Sequence, residues 1–512
     1  MPVSVTSIGL RGMEGYRLQV EVKSLSGLNS FSIVGLPDAS VKESKERIIA
    51  CLHTMGYPLI ERKVIINLSP SEQKKSGPFF DVPMAIGILL SLKELKVNLS
   101  SEIAFIGALS LNGTIRPIEG MLPIVLAAKN LGIKKLYLPF DNELPDIKLE
   151  GIELKYVTSL SELIKHLSGK ITLPQYSSQR KIPSKCSSHL DFKQIIGHEF
   201  AKSALEIAAA GEHHLFLTGP PGCGKSMLAE SFSSILPPLS NEAQLESMSI
   251  YQLSCTPFQD TMQPPFRNPH HSSSGVSIIG GGQNPKPGEV SLSHRGVLFL
   301  DEMAEFTKKT LDMLRQPLES GKVTISRAHS TVTYPASFIL VGAMNPCPCG
   351  YLGSNLYYCT CTPKQIQSYQ NRISGPIRDR FDLFLTLKPV NINNSTLQNQ
   401  QSSEDYRQRV IKAREIQYHR YGKEISNSRI TFDTLMKKSP IADSQSTLLK
   451  NISSKHHWSS RTQVKVIRIA RTIADLEQQP NINDHHLWKA IKINRQNEKK
   501  NRLKVLTRKL TQ

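Results

Sequence analysis

The sequence predicts an α/β chain: a core of parallel strands flanked by helices, a helical segment after it, and a domain of mixed strands and helices before it. Three observations carry that expectation. A short apolar strand, Leu215-Phe216-Leu217, runs into the glycine-rich stretch Gly219-Pro220-Pro221-Gly222-Cys223-Gly224-Lys225-Ser226 and then into the helical pattern Met227–Glu230. A second apolar run, Val297–Leu300, ends in the acidic pair Asp301-Glu302. A third stretch, from Asn391 to Gln512, carries 24 Lys and Arg against 10 Asp and Glu; after a polar Asn-, Ser- and Gln-rich loop to about Glu404 it reads as helical to about Asn494.

Gly219–Ser226 fits G-x-x-x-x-G-K-[ST] in full, in the strand–loop–helix context the motif needs. Gly219, Gly222 and Gly224 let backbone N–H groups turn inward around phosphate oxygens, with Pro220, Pro221 and Cys223 completing the loop. The helix after the loop adds its positive end. Lys225 is placed to reach the β- and γ-phosphates of ATP, and Ser226 to offer a hydroxyl to Mg²⁺. Asp301, at the end of a strand apolar enough to be buried on both faces, can hold Mg²⁺ through water. Glu302 can orient or deprotonate the attacking water.

Bulk properties narrow the class. A chain of 512 residues, 39% hydrophobic, is expected to form about three domains. No apolar run reaches the ~18 residues of a membrane span. Met1-Pro2-Val3-Ser4 is not a basic segment leading into an apolar one, so the sequence predicts no signal peptide. Eight cysteines in this length do not suggest a disulfide scaffold, and a reducing cytoplasm is the expected location. The net charge is +20, and an excess of 14 lies beyond residue 390. That skew favours a polyanion such as nucleic acid, with a basic soluble surface as the plainer alternative.

In order, residues 1–168 read as a mixed α/β domain. Strands are expected at Tyr16–Val22, Lys63–Leu68, Ile103–Leu109 and Leu136–Leu138, and helices at Val41–His53, Asp81–Leu92 and Leu122–Leu131. Residues 169–190, rich in Ser, Pro, Gln and Lys, read as a linker. Residues 191–392 carry the phosphate loop, and 393–512 a helical segment with a basic tail.

Several words in the chain are more specific than these patterns. They are Ile33-Val34-Gly35-Leu36-Pro37-Asp38, Arg267-Asn268-Pro269-His270-His271, Gly280-Gly281-Gly282, Pro287-Gly288-Glu289, Leu314–Glu319 and Arg372–Pro376. With them the chain resembles, over nearly its whole length, the ComM/YifB family of Mg-chelatase-like AAA+ proteins. The resemblance implies an AAA+ P-loop ATPase core with a helical lid, preceded by an α+β domain like the proteolytic domain of Lon. Lon-like enzymes place a serine after a Gly-Pro and a lysine at the start of a later helix. Here Gly77-Pro78 is followed by Phe79, and Glu119-Gly120-Met121 by Leu122, so the expectation is a Lon-like fold without peptidase activity.

The same resemblance assigns further residues. Asn345, after the strand Ser337–Val341, would touch the γ-phosphate or the lytic water. Within Gly375–Asp382, Arg380 would reach into a neighbouring subunit's site, with Arg378 as runner-up; an ion pair with Asp379 or Asp382 is the alternative for either. Arg461, opening the helix to Leu476, would sense nucleotide in its own subunit. Ile195–His198 falls where such ATPases contact adenine, and His198 receives no role. The implied function is a homohexameric ATPase moving single-stranded or branched DNA in branch migration during natural transformation. A chelatase-type ATPase subunit, or a regulatory ATPase remodelling a protein partner, uses the same core and stays open.

Two stretches add detail. Cys347, Cys349, Cys359 and Cys361 are spaced C-x-C-x9-C-x-C, and four thiolates in two close pairs can close a Zn²⁺ site bracing the catalytic core. Reduced structural cysteines are the alternative. Gly321–Pro335 reads as a hairpin carrying Lys322 and Arg327, and Pro264–His294 as a Gly- and His-rich insertion. The resemblance implies that such insertions line a central pore, where Arg327 and Lys322 can hold DNA phosphates without reading bases; for the hairpin, a solvated packing role serves equally.

Overall fold

The computed structural model describes residues 2–75, 77–141, 149–174, 190–257, 262–282, 285–327, 330–354, 357–390 and 401–495. The chain divides into two compact units. One comprises Met1–Pro183, Met248–Asp260 and Ser326–Thr333, the other Ser184–Ser247, Thr261–Ile325 and Tyr334–Gln512. Most of the expected linker and the whole basic tail lie outside the described residues.

The first unit is built on β1 (Val3–Arg11), β2 (Glu14–Ser26), β3 (Ser30–Val34), α1 (Ala39–Thr54), β4 (Arg62–Ser69), α2 (Asp81–Ser91), β5 (Ile103–Phe105), β6 (Ala108–Leu109), β7 (Ile115–Arg116), α3 (Met121–Asn130), β8 (Lys135–Pro139), β9 (Glu153–Val157) and α4 (Leu160–Leu167). Seven strands form one mixed sheet in the order β3-β4-β2-β1-β5-β8-β9. The pairs β1–β2 and β2–β4 are antiparallel, and the rest are parallel. Helix α2 is buried throughout residues 81–89. Its first residue, Asp81, is fully buried and therefore needs partners. Arg47 of α1 supplies two N–H groups, at 2.8 and 3.2 Å, and the backbone N–H of Leu109 a third at 3.1 Å. Arg47→Ala would strand that carboxylate. Urea unfolding is expected to show a loss of about 3–5 kcal/mol.

One expected strand is corrected. Ile103–Leu109 is two short strands in different sheets, broken at Ile106-Gly107. Gly107 takes φ +151°, and a Cβ there would stand 2.7 Å from Ile115 Cγ2.

The second unit contains α5 (Glu199–Gly211), β10 (Leu215–Thr218), α6 (Lys225–Phe232), most of the insertion, and the later helices. α7 (Asn241–Ser254) spans the division of the chain. Then come β11 (Phe266–Arg267), α8 (Gly275–Ile279), β12 (Gly280–Gly281), β13 (Lys286–Pro287), α9 (Glu289–Leu292), β14 (Val297–Leu300), α10 (Lys308–Met313) and α11 (Arg315–Ser320). The hairpin, β15 (Lys322–Arg327) with β16 (Ser330–Pro335), also spans the division of the chain, and is followed by β17 (Ile339–Met344), α12 (Pro363–Gln370), α13 (Gly375–Arg378) and β18 (Leu383–Thr386). Last are α14 (Ser403–Tyr421), α15 (Phe432–Lys438), α16 (Asp443–His456), α17 (Ser460–Leu476) and α18 (Asp484–Arg495).

Five parallel strands lie in the order β11-β14-β17-β10-β18. β10, β14 and β17 are buried at every position, as their apolar runs require. Ala413 and Val410 of α14, Ile469 and Ile473 of α17 and Ile491 of α18 share one apolar core with Leu215, Val341 and Leu385 of the sheet. The order matters chemically. β17 lies between β10 and β14, so the residues at its carboxyl end stand between the phosphate loop after β10 and the acidic pair after β14.

Candidate nucleotide site

The loop from β10 to α6 is shaped by its glycines. Gly222 and Gly224 take φ +73° and +84°. A Cβ on Gly219 would lie 2.6 Å from Cys223 Sγ and 2.9 Å from the Leu387 carbonyl oxygen. The loop is thus a tight backbone cradle at a helix N-terminus, a fit for phosphate. Lys225 Nζ donates to the carbonyl oxygens of Gly219 at 2.8 Å and Pro220 at 3.0 Å, and to Asn345 Oδ1 at 3.0 Å. Burial lowers the lysine's pKa from its ordinary value, while Cys223, Asp301 and Glu302 pull it back up.

Ser226 Oγ donates to Asp301 Oδ2 at 2.8 Å. A hydroxyl and a carboxylate this close are hard oxygen ligands of the kind Mg²⁺ takes. Asp301 Oδ1 accepts the backbone N–H of Glu302 at 2.8 Å. Glu302 itself is left-handed, with φ +45° and ψ +44°, and its Oε2 stands 3.5 Å from His271 Nδ1. The ends of three neighbouring strands therefore bring together Lys225, Ser226, Asp301, Glu302 and Asn345.

Arg380 and Arg461 lie elsewhere. Arg380 pairs with Glu319 at 2.9 Å, and Arg461 approaches the other oxygen of the same carboxylate at 3.7 Å. The alternative partners anticipated for Arg380, Asp379 and Asp382, are not the ones it takes; Glu319 is. Arg378 has its guanidinium largely buried, which lowers its pKa, and its Nε finds no hydrogen-bond partner. Arg461, expected to sense nucleotide in its own subunit, rests against Glu319 among the described residues. The first turns of α17 face the Arg378–Arg380 segment: Lys465 Nζ donates to the carbonyl oxygens of Asp379 at 2.5 Å and Phe381 at 2.8 Å. Asp382 is anchored in turn by His213 Nδ1 at 3.4 Å and the His214 backbone N–H at 3.1 Å. Burial opposes its ionisation, but His213 and Lys465 prevail and hold its pKa below the carboxylate range.

The cysteine cluster is gathered. Cys347, Cys349, Cys359 and Cys361 have all four Sγ atoms within 4.8 Å of one another. Cys347 lies 3.4 Å from Cys349 and 3.7 Å from Cys359, and Cys349 lies 3.6 Å from Cys359. Tetrahedral zinc with Zn–S near 2.3 Å sets its sulfurs about 3.8 Å apart, so the donor set fits. The knuckle abuts the phosphate loop: a Cβ on Gly350 would meet Pro221 Cδ at 2.7 Å.

In the first unit, Phe79 follows Gly77-Pro78 as a half-buried ring set edge-on to Phe80 at 6.1 Å, and Leu122 is fully buried. Neither offers a nucleophile or a base.

Sequence reasoning gives no task to His198 or His271. His198, left-handed at the start of α5, hydrogen-bonds the backbone of Cys223; burial lowers its pKa. His271 contacts Glu302. Both are histidines whose partners lie far along the chain, which spacing cannot reveal. In the hairpin, Lys322 is exposed, and the side chain of Arg327 lies outside what is described. The insertion is internally tied: Arg267 makes a bidentate pair with Glu289 at 2.6 and 2.7 Å, and β12 pairs with β13.

A phosphate loop on one strand, an acidic pair two strands away and a polar residue on the strand between define a P-loop core of the AAA+ kind. Family comparison places it more closely. The family described as magnesium chelatase, subunit ChlI, matches residues 191–395, with its companions for subunit ChlI of Mg-chelatase at 20–142 and the ChlI C-terminal region at 400–494. The chain is 38% identical to the YifB protein of Escherichia coli strain K12 over 94% of each chain. It is 36% identical to competence protein ComM of Haemophilus influenzae, over 94% of this chain and 95% of that one. A Lon protease of Lachnoclostridium phytofermentans is 31% identical over 31% of this chain and 20% of its own. The chain belongs to the ComM/YifB family of Mg-chelatase-like AAA+ proteins. Among the described residues no helix is long and apolar enough to cross a membrane.

Proposed function

We propose that the protein hydrolyses ATP as a homohexamer and couples hydrolysis to movement on single-stranded or branched DNA. The observation that carries the ATPase reading is the convergence of Lys225, Ser226, Asp301, Glu302 and Asn345 on one cradle. Lys225 holds the β- and γ-phosphates, Asn345 orients the γ-phosphate or the water, and Glu302 takes the water's proton. Ser226 and Asp301 hold Mg²⁺, which when bound neutralises phosphate charge. Arg380, set apart from its own subunit's loop and beside Arg461, serves the neighbouring subunit, and Arg461 joins it there. The DNA reading rests on the net charge of +20 and on the kinship with a competence protein.

The deciding measurement is ATP turnover with and without single-stranded and four-way-junction DNA, beside Lys225→Ala. Stimulation by DNA and migration of the junction support the motor. Indifference to DNA, with stimulation by a protein partner, supports the remodelling role that the magnesium chelatase kinship favours. Lys322→Glu with Arg327→Glu is expected to weaken DNA binding and flatten its salt dependence by about two phosphate contacts. An unchanged slope removes the hairpin from the DNA path.

The cysteines hold Zn²⁺ in this reading and brace Asn345 and the phosphate loop from outside. Protein purified without chelator is expected to carry about one zinc per chain. Cys359→Ser with Cys361→Ser should abolish it, and metal-free wild-type protein would remove the assignment.

A further inference from the structure

His213 and His214 precede β10, the strand that runs into the phosphate loop, and both are buried. Their tasks differ. His214 Nδ1 accepts the backbone N–H of Leu340 in β17 at 3.0 Å, and burial pushes its pKa down to about 3, so it stays neutral. Its carbonyl oxygen fixes the start of β18, taking the N–H groups of Asp382 and Leu383 at 2.9 and 3.1 Å. His213 bridges two other groups. Its Nδ1 stands 3.4 Å from Asp382 Oδ2, and its Nε2 stands 3.0 Å from Thr472 Oγ1 on α17.

The bridge is closely built. A Cβ on Gly211 would lie 2.6 Å from Thr472 Oγ1 and would overlap the His213 ring, so the site needs glycine there. Thr472 accepts Asn427 Nδ2 at 3.1 Å. Asn427 is held in turn by Gln417 of α14 and Asp475 of α17, at 2.8 Å each. His213, Thr472, Asn427, Gln417 and Asp475 are all buried, so each polar group depends on these partners and not on solvent.

Asp382 closes the segment that carries Arg380, two residues away. The Arg380 guanidinium rests on Glu319, a carboxylate with a 61% exposed side chain, and a contact of that kind is readily exchanged. The buried anchor at Asp382 is the part of the segment that does not exchange. An arginine that has to meet a neighbour's γ-phosphate needs such an anchor, because rate falls steeply with small misplacement.

We propose that His213 is a positioning residue for Arg380: by tying Asp382 to Thr472 of α17, it sets where that arginine stands at the seam between subunits. The role rests on the reading that Arg380 serves the neighbouring subunit.

The test is steady-state ATP hydrolysis by full-length His213→Ala, His213→Phe and His213→Asn, beside Arg380→Ala and the double variant of His213→Ala with Arg380→Ala. His213→Ala is expected to lower kcat by roughly tenfold to a hundredfold, with affinity for a fluorescent ATP analogue held within about threefold. His213→Phe, which fills the space without an N–H, should do the same. His213→Asn, whose amide N–H comes near the place of Nδ1, should bring kcat back to within about threefold of wild type. In the Arg380→Ala background, His213→Ala should cost less than about twofold more, because the group it positions is gone. Mixed with Lys225→Ala subunits, His213→Ala subunits should show turnover above the sum of the two, because their own phosphate loops are sound. An equal loss in both backgrounds, or no gain on mixing, makes His213 a prop for its own subunit's fold and overturns the proposal. So does loss of analogue binding in all three His213 variants. Wild-type turnover in Arg380→Ala overturns the reading of that arginine and the positioning role together. Turnover lost in Arg380→Ala but kept in His213→Ala overturns the positioning role alone.

Discussion

Arg380→Ala is expected to lower ATP hydrolysis by roughly 10³-fold or more, the range seen when an arginine that stabilises phosphoryl transfer is removed. The loss should be in kcat, with nucleotide binding to each subunit's own loop intact, because Arg380 makes no contact with that loop among the described residues. Its side chain is only 14% exposed, and it rests on Glu319. A carboxylate oxygen pair occupied by Arg380 and Arg461 presents both guanidinium groups to one anion, and a γ-phosphate brought by a neighbour offers the same chemistry with more charge. Lys465 holds the segment by two backbone carbonyls, so the position of α17 sets the position of Arg380. The decisive arm is mixing. Lys225→Ala subunits keep Arg380 but have a crippled loop, and Arg380→Ala subunits have the reverse. Combined, they should regain a measurable fraction of turnover that neither shows alone. Full activity in Arg380→Ala, or no recovery on mixing, would place the arginine outside the neighbour's site.

How far a feature can be read from sequence depends on how local it is. Gly219–Ser226 is legible because eight consecutive residues carry the whole motif, and Val297–Glu302 because a buried strand needs an unbroken apolar run. Asn345 is placed through kinship, and the strand order β11-β14-β17-β10-β18 supplies the physical reason it meets Lys225. β1 escapes the sequence pattern although it is central to its sheet. Residues 5–9 are buried throughout, yet Thr6, Ser7 and Gly9 interrupt both alternation and apolar run. Ser7 meets its burial by donating to the Phe105 carbonyl at 2.9 Å, a partner 98 residues away. The same distance problem hides Glu319 as the partner of Arg380 and Arg461, and His271 as the partner of Glu302. Each pair depends on two segments that only the folded chain brings together.

Glu302→Gln and Lys225→Ala should separate holding ATP from breaking it. Lys225 spans the loop carbonyls of Gly219 and Pro220 and the Asn345 amide oxygen. Its removal leaves the β- and γ-phosphates without their nearest cation and frees Asn345, so both nucleotide affinity and turnover should collapse. Glu302→Gln keeps size, the left-handed backbone position and a hydrogen-bonding head, but cannot take a proton. Turnover should fall by about 10²–10⁴-fold. Affinity for an ATP analogue should stay within about threefold, because no phosphate contact is lost. If subunits associate through bound ATP, Glu302→Gln is then the variant that stays assembled, since the nucleotide at each seam persists; Lys225→Ala should come apart. Sedimentation of the two variants with ATP and Mg²⁺ reads this directly. Equal assembly in both would mean that nucleotide does not hold the subunits together, and the arginines at Glu319 would then need another partner.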